Sequence, residues 1–195
     1  MLNLQYLVFA GAGAQFIGYL SYVIETLRGN TKPNKVTWFL WTIAPLIATF
    51  AAISDGVRWS VLPVFMTGFG PILILLASFL NKKSYWKLER FDYLCGLFSL
   101  LALILWGITK EPVVAIVFAI ISDALAAIPT LSKAWKYPDS ESVGPFITGL
   151  FAGLTSFAAI KIGNFAEYAF PAWIVFINTC LTFAILKNKI RPPAR

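Results

Sequence analysis

Seven long apolar segments follow one another along this chain, with only short polar stretches between them. They cover residues 4–27, 36–54, 60–80, 91–109, 112–133, 143–162 and 168–187. About 20 apolar residues is the length that crosses the hydrocarbon core of a bilayer as an α-helix. Backbone groups inside lipid must be hydrogen-bonded within the protein, which favours helices for such segments. The sequence therefore predicts an all-α integral membrane protein with seven transmembrane helices and a single membrane domain over residues 1–195.

Composition agrees with a protein that lies in the lipid bilayer. Of the 195 residues, 58% are hydrophobic and 13% charged, which is too few polar residues to cover the surface of a soluble domain. No lysine or arginine precedes the first segment and six more segments follow it. We therefore expect the first segment to be a retained helix rather than a cleaved signal peptide.

The positive charges are concentrated on one side of the predicted topology. The formal net charge is +7, which in a soluble protein would suggest a nucleic-acid partner. Arg58, Lys110 and Lys161 would lie on one side of the membrane. The other 13 of the 16 basic residues fall after the first, third and fifth segments or in the C-terminal tail: Arg28, Lys32, Lys35, Lys82, Lys83, Lys87, Arg90, Lys133, Lys136, Lys187, Lys189, Arg191 and Arg195. The positive-inside rule then predicts an outside N-terminus and a cytoplasmic C-terminus. We expect the protein to lie in the plasma (inner) membrane and to have no nucleic-acid partner, because the basic bias is explained by topology.

The residue types available exclude several kinds of site. The chain has no histidine, and its two cysteines, Cys95 and Cys180, lie inside apolar segments. We expect no metal site and no disulfide framework from this set. No nucleophile with an adjacent base is present either, so the sequence predicts a protein that is not an enzyme and uses no cofactor.

A repeat becomes visible when the chain is shifted by 107 residues. "ATFAAISDG" (48–56) then aligns with "TSFAAIKIG" (155–163), and 11 of the 47 positions from Val36 to Lys82 are identical without a gap. The register predicts a first repeat at 4–83, a linker helix within 84–110 and a second repeat at 111–190. Because one segment separates the two triple-helix units, they would have the same orientation in the membrane, in a 3+1+3 arrangement.

The stretch "PTLSKAWKYPDSESVGPF" (129–146), followed by "TSF" (155–157) and Pro171, resembles the SWEET/PQ-loop transporter superfamily. The resemblance implies a central cavity with alternating access, and prolines that close the first helix and open the second helix of a repeat. Pro129 and Pro145 match those positions, and Tyr22 and Pro45 are the candidates in the first repeat. Tyr22 and Val23 stand where a Pro-Gln pair would be, and Pro45 lies deeper than expected. The asparagines typical of sugar carriers are replaced by Ala172 and Phe65, so sugar specificity does not follow.

Four polar residues lie near the midpoints of three segments. Gln15 is at the centre of the first segment, Ser122 and Asp123 are at the centre of the fifth, and Asn178 is at the centre of the seventh. An acid at that depth is costly unless it is protonated, paired or hydrated. We predict that these residues bind a substrate and that Asp123 is also a candidate for proton coupling. The alternative is that they only hold helices together.

Tryptophans add candidate walls for a binding site. Trp41, with its neighbour Trp38, lies in the second segment and Trp173 lies in the seventh. Their rings could stack on a planar or sugar-like ligand, or could simply face lipid or the protein core. We include Trp41 and Trp173 among the predicted substrate-binding residues.

Together these features predict a transporter for a small polar solute, whose movement is either coupled to protons or independent of them. A cationic or zwitterionic solute such as an amino acid, or a vitamin precursor, fits the central acid. A retinal photoreceptor is excluded because the seventh segment has no lysine before Lys187, at its end. The alternative is a receptor or structural membrane protein on the same fold. Gly149 and Gly153 form a GxxxG motif that could pack helices within the chain or in a homo-oligomer.

Overall fold

The protein is described here by a computed structural model that covers residues 6–81, 83, 86–109 and 111–190. The basic residues Lys82, Lys110, Arg191 and Arg195 lie outside the described residues. Within the described part the regular structure is entirely helical. Its seven α-helices are α1 (Leu7–Arg28), α2 (Lys35–Ser54), α3 (Leu62–Leu80), α4 (Arg90–Thr109), α5 (Pro112–Lys136), α6 (Gly144–Phe157) and α7 (Phe165–Ile190).

Five helical stretches in the described part are long and apolar enough to cross a bilayer. They are Leu7–Arg28, Lys35–Ser54, Trp59–Leu80, Pro112–Lys136 and Phe165–Lys187. The outward surface of the helices is also rich in large apolar side chains, including Phe50, Leu76 and Phe183, each more than half exposed. Such a surface suits lipid rather than water. The expectation of an all-helical, membrane-embedded protein is confirmed at this level.

The sixth helix is shorter than the sequence indicates. The apolar segment at 143–162 predicts a full span, but α6 ends at Phe157 and has 14 residues. The following loop is held by the buried carboxylate of Glu167, which accepts hydrogen bonds from the backbone N–H groups of Lys161, Ile162 and Gly163. Because these groups find an acceptor outside a helix, the helix can stop early without leaving them unsatisfied. By contrast, α5 continues three residues beyond the predicted end, to Lys136.

The helices form a bundle in which the third helix of each predicted repeat packs against the other two. In the first set, α3 contacts α1 and α2, and in the second set, α7 contacts α5 and α6. The two sets meet where α1 packs on α6 and where α2 packs on α5. The remaining helix, α4, packs on α5 and α2.

Small residues bring α1 close to α6. A Cβ placed on Gly11 would be 2.0 Å from Thr155 Oγ1, and one on Gly18 would be 1.9 Å from Thr148 Oγ1. No side chain fits at those distances, so these two glycines permit the close contact of the helices. This close packing fixes the position of α1 relative to α6.

Asn34 joins three elements at one end of the bundle. Its side-chain oxygen accepts from the backbone N–H groups of Val36 and Thr37, which caps α2. Its amide donates to Asp92 of α4 at 2.9 Å. We call this end the basic end, defined by the α1–α2 loop (29–34), the α5–α6 loop (137–143) and the C-terminal part of α7.

Candidate functional site

A narrow cavity of about 40 Å³ lies between six of the helices. It has room for roughly three water molecules at about 10–15 Å³ each. Its walls come from α1, α2, α3, α5, α6 and α7: Tyr19, Trp38, Trp41, Thr67, Pro71, Asp123, Pro145, Phe146, Phe170, Ile174, Ile177, Asn178 and Leu181. Three of the predicted substrate-binding residues, Asp123, Asn178 and Trp41, are therefore brought together by the fold.

Asp123 is the one acid among the described residues that borders this cavity, and it is 6% exposed. Its Oδ2 accepts a hydrogen bond from the indole N–H of Trp173 at 2.7 Å. Its backbone carbonyl accepts a longer one from the indole of Trp41, at 3.4 Å. Among the described residues no lysine or arginine forms an ion pair with it. The carboxyl is thus oriented by a neutral donor and retains hydrogen-bonding capacity for a solute.

Tyr19 forms the α1 side of the cavity and was missed by the sequence reasoning. Its hydroxyl accepts a hydrogen bond from Gln15 Nε2 at 3.0 Å. Its ring lies against α3 at Gly70, where an added Cβ would be 1.9 Å from the ring. Gln15 itself is 1% exposed and does not border the cavity, so it acts on the cavity only through Tyr19. The signal was present, because Tyr19 lies four residues after Gln15 on the same face of α1.

Asn178 borders the cavity on α7. Its amide donates to the carbonyl of Ile174 at 2.8 Å, within the same helix. A Cβ on Gly149 would be 2.8 Å from Asn178 Oδ1, so this glycine gives the amide room beside α6. The GxxxG motif therefore packs against α7 of the same chain, since Gly153 also faces α7 at Val175.

Ser122 does not border the cavity. Its backbone carbonyl accepts a hydrogen bond from Ser99 Oγ of α4 at 2.8 Å, which places it on the α4 side of α5. Its own hydroxyl is buried without a hydrogen-bond partner in the described part of the chain. Ser122 and Asp123 are adjacent in sequence and lie at the same depth, yet they face different neighbours.

Four aromatic rings, those of Trp38, Trp41, Phe146 and Phe170, form much of the apolar wall. Trp38 and Trp41 meet edge to face, with ring centroids 5.1 Å apart, and Trp41 also meets Phe146 edge to face at 6.2 Å. Phe170 of α7 lines the cavity as well. Trp173 is not part of the wall and reaches the site only through its hydrogen bond to Asp123. The sequence did not single out Phe146 or Phe170 among the 17 phenylalanines of the chain.

The predicted gating prolines have different positions. Pro145 lies in the first turn of α6 and borders the cavity, so it opens that helix and does not interrupt it. Pro45 and Pro129 are buried inside α2 and α5, which both continue past them. Neither borders the cavity. Their roles as hinges stay predictions.

Tyr22, the remaining gating candidate, belongs to a buried polar cluster at the basic end. Its hydroxyl donates to Glu141 Oε2 at 2.5 Å, and Lys133 Nζ donates to Glu141 Oε1 at 2.6 Å. Lys133 also donates to the backbone carbonyl of Lys32 and lies over the Trp86 ring, 4.7 Å from its centroid. Lys133 is 3% exposed and Glu141 is 7% exposed. We call Tyr22, Lys133 and Glu141 the basic-end cluster.

The basic-end cluster ties α1 and the α1–α2 loop to α5 and the α5–α6 loop. The two loops are also joined directly, because the Lys32 backbone N–H donates to the Ser140 carbonyl at 3.0 Å. Lys133 lies four residues after Pro129 on α5. The sequence reasoning treated Lys133 only as a charge at the end of a span and gave Glu141 no role.

The cavity offers one carboxyl, one amide and the hydroxyls of Tyr19 and Thr67, set among aromatic rings. Such a set suits a small solute that combines hydrogen-bond donors with an apolar or planar part. Comparisons of the chain with protein-family models, with curated proteins and with solved structures give no match.

Proposed function

We propose that this protein is a membrane transporter that moves a small polar solute by alternating access through the central cavity. The observation that carries the proposal is the cavity itself, because its wall is shared by helices of both predicted repeats and includes the Asp123 carboxyl. Intramembrane acids that face a cavity are typical of substrate and proton pathways. Sites between repeats near mid-membrane are typical of transporters.

The proposal includes seven spans in a 3+1+3 arrangement, as in the SWEET/PQ-loop superfamily. The contacts among the six repeat helices support it, because the same pairs are in contact when α1, α2 and α3 are exchanged with α5, α6 and α7; α4, which packs on α5 and α2, stands outside this symmetry. Under that exchange the α1–α6 contact becomes the α5–α2 contact, and both are extensive. The contacts of α3 with α1 and α2 likewise become those of α7 with α5 and α6.

Residue positions support the same repeat. Gly56 and Gly163, aligned by the shift of 107 residues, both have left-handed backbone, with φ of 87° and 70°. Three aligned pairs also line the cavity: Trp38 with Pro145, Thr67 with Ile174, and Pro71 with Asn178. Matching backbone geometry and matching cavity positions are expected if the two units are copies of one ancestral unit.

In this arrangement α4 is the linker and α6 is a short span. A helix of 14 residues covers about 21 Å at 1.5 Å per residue, against a hydrocarbon core of about 30 Å. The loop after α6 would complete the crossing, since its backbone N–H groups bond to Glu167. The basic end would face the cytoplasm of a plasma membrane, and the N-terminus would lie outside.

The basic-end cluster would be the closed gate on the cytoplasmic side. It joins the first helix of each repeat through Tyr22 and Lys133, and both donate to Glu141. Opening the cavity toward this end would require separation of α1 from α5, and the cluster would then have to break. A gate built from a few specific contacts can close and open without disturbing the rest of the bundle.

The proposed solute has a cationic or hydrogen-bond-donating group for Asp123 and an apolar or planar part for the rings. Amino acids and vitamin precursors have this chemistry. Protons could be coupled through the same carboxyl. The second candidate is a receptor or structural protein on the same fold, which would bind the solute without moving it. It is favoured by the small volume of the cavity, about 40 Å³.

Uptake into proteoliposomes tests the proposal. Radiolabelled amino acids, nucleosides, sugars and vitamin precursors would be offered with and without an inward proton gradient, to wild type and to empty liposomes. We expect accumulation of one class, lost in Asp123→Asn and kept in Ser122→Ala. A solute that binds to the protein but does not enter the liposomes would contradict transport and favour the receptor.

A further inference from the structure

An apolar groove of about 430 Å³ opens on the side of the bundle, away from the central cavity, between α2, α3 and α4. Its walls are built from aliphatic and aromatic side chains, among them Phe39, Leu75, Phe79, Leu97 and Leu100. The groove extends from Tyr93 to Leu100 along α4, about 10 Å at 1.5 Å per residue. It therefore starts at the basic end and reaches toward the middle of the membrane.

The floor of the groove is formed by a close contact of α4 with α2. A Cβ on Gly96 would be 2.8 Å from Val36 Cγ1, so this glycine allows the two helices to approach. On the α3 side, Phe79 is 63% exposed, and on the α4 side Leu97 is 52% exposed. The groove is thus open on its outer side, the side that would face lipid in a membrane.

The mouth of the groove is positively charged. Lys35 is the one charged residue of the described lining, and its Nζ lies 4.1 Å from the centroid of the Phe79 ring. Lys83 follows the end of α3, and Arg90 begins α4 one turn before Tyr93, both exposed. Glu89 is the acidic neighbour in the chain and is exposed. Asp92, the other acid of this stretch, is buried and accepts from Asn34 and from the backbone of Glu89, so the accessible charges at the mouth are mostly positive.

We infer that this groove binds one anionic glycerophospholipid of the bilayer, with its phosphate at Lys35 and an acyl chain along Leu97 and Leu100. The apolar wall and the cation at its mouth match the two parts of such a lipid. Basic pockets between membrane helices on the cytoplasmic side recognise anionic headgroups in the same way. The site is independent of the central cavity and of any transport.

Native mass spectrometry in mild detergent tests the inference. The probes are dioleoyl phosphatidylglycerol and dioleoyl phosphatidylcholine at equal concentration, which differ only in headgroup. We expect wild type to retain one phosphatidylglycerol, at least fivefold more than phosphatidylcholine. Lys35→Gln should lose this preference. Leu97→Trp, which fills the groove, should lose the retained lipid altogether.

Two matched controls distinguish lipid binding in the groove from nonspecific association of lipid with the protein. Lys136→Gln removes a charge from the same end of the bundle, and Leu154→Trp adds a ring at an equally exposed site on α6; both should retain the lipid as wild type does. Equal retention of both lipids, or equal loss in Lys35→Gln and Lys136→Gln, would overturn the inference. Binding of glycerol 3-phosphate alone at the same level would do so too. Dimers that disappear in Leu97→Trp, without retained lipid, would show that a second copy covers the groove instead.

Discussion

Two buried acids of this protein, Asp123 and Glu141, have opposite surroundings. Glu141 at the basic end accepts from the ammonium of Lys133 and from the hydroxyl of Tyr22. Asp123 in the middle of the bundle accepts at its side chain from the neutral indole of Trp173 and borders a cavity. A carboxylate with a protein donor on each of its two oxygens holds the structure together. One that is only partly satisfied can bind something else.

The other two buried acids of the described part resemble Glu141 rather than Asp123. Asp92 accepts from Asn34 and from the backbone of Glu89, and Glu167 accepts from three backbone N–H groups after α6. Both are satisfied by the protein. The contrast therefore distinguishes Asp123 within the molecule, and it can be tested by changing each acid's partners in turn.

The largest effect is expected at the basic-end cluster. Lys133→Met leaves Glu141 buried without its cation and should lower the free energy of unfolding by about 3–5 kcal/mol. The double variant Lys133→Met with Glu141→Leu removes both charges and should recover most of that loss. Thermal melting in detergent measures both. A single variant as stable as wild type would show that the pair is not a structural contact.

The next effect is expected at the partner of Asp123. Trp173→Phe keeps the ring and removes the donor that orients the Asp123 carboxyl, so it should weaken solute binding by roughly tenfold, or about 1.4 kcal/mol. Titration of the bound solute measures it. The matched control is Trp59→Phe, at an exposed tryptophan away from the cavity, which should bind as wild type does. Equal affinities in all three proteins would remove Trp173 from the site.

A smaller effect is expected from Tyr22→Phe, which removes one of the two side-chain donors that Glu141 has in the described part of the chain and leaves the ion pair. The loss of stability should be about 1.5 kcal/mol, from one hydrogen bond to a charged acceptor. Tyr137→Phe, at an exposed tyrosine of the same end, should cost nothing measurable. If the cluster is a gate, Tyr22→Phe should also make the cavity easier to reach from the basic end. A cysteine introduced at Thr67, in the cavity wall, should then react faster with a thiol reagent added on that side. No change in labelling would contradict the gate.

The smallest effect is expected next to the central acid. Ser122→Ala removes a buried hydroxyl that has no partner among the described residues, so stability should stay within about 0.5 kcal/mol of wild type or rise slightly. Solute binding should be unchanged, because Ser122 does not border the cavity. Loss of binding in this variant would show that the cavity extends to the α4 side of α5.

Depth along a helix could be predicted from the sequence, but direction around it could not. Counting residues from the segment ends placed Asp123 and Asn178 at mid-membrane, and both border the cavity. The same count selected Ser122 and Gln15, which lie off the cavity wall. Adjacent residues on a helix are separated by about 100°, so one depth is compatible with every face. Which face points inward depends on the packing of α4 and α6, and the sequence pattern does not give it.

The basic-end cluster shows a second limit. Lys133 lies at the end of an apolar segment, where a lysine normally reaches water. Its burial depends on Glu141, eight residues later in a loop, and on Tyr22 from another helix. The early end of α6 was missed for a similar reason, since the apolar run continues while the backbone turns toward Glu167. One feature depends on a long-range contact from Tyr22 and the other on a carboxylate a few residues downstream, and the apolar pattern of the segments indicates neither.

The most direct test of the account is a comparison of solute-induced stabilisation in wild type and Asp123→Asn. Melting temperatures of the purified protein in detergent would be measured with amino acids, nucleosides, sugars and vitamin precursors at pH 5.5 and 7.5, with Ser122→Ala as the control. Ligand binding to the native state raises the melting temperature. The account predicts one solute class that stabilises wild type and Ser122→Ala but not Asp123→Asn. A solute that stabilises Asp123→Asn as much as wild type would contradict it.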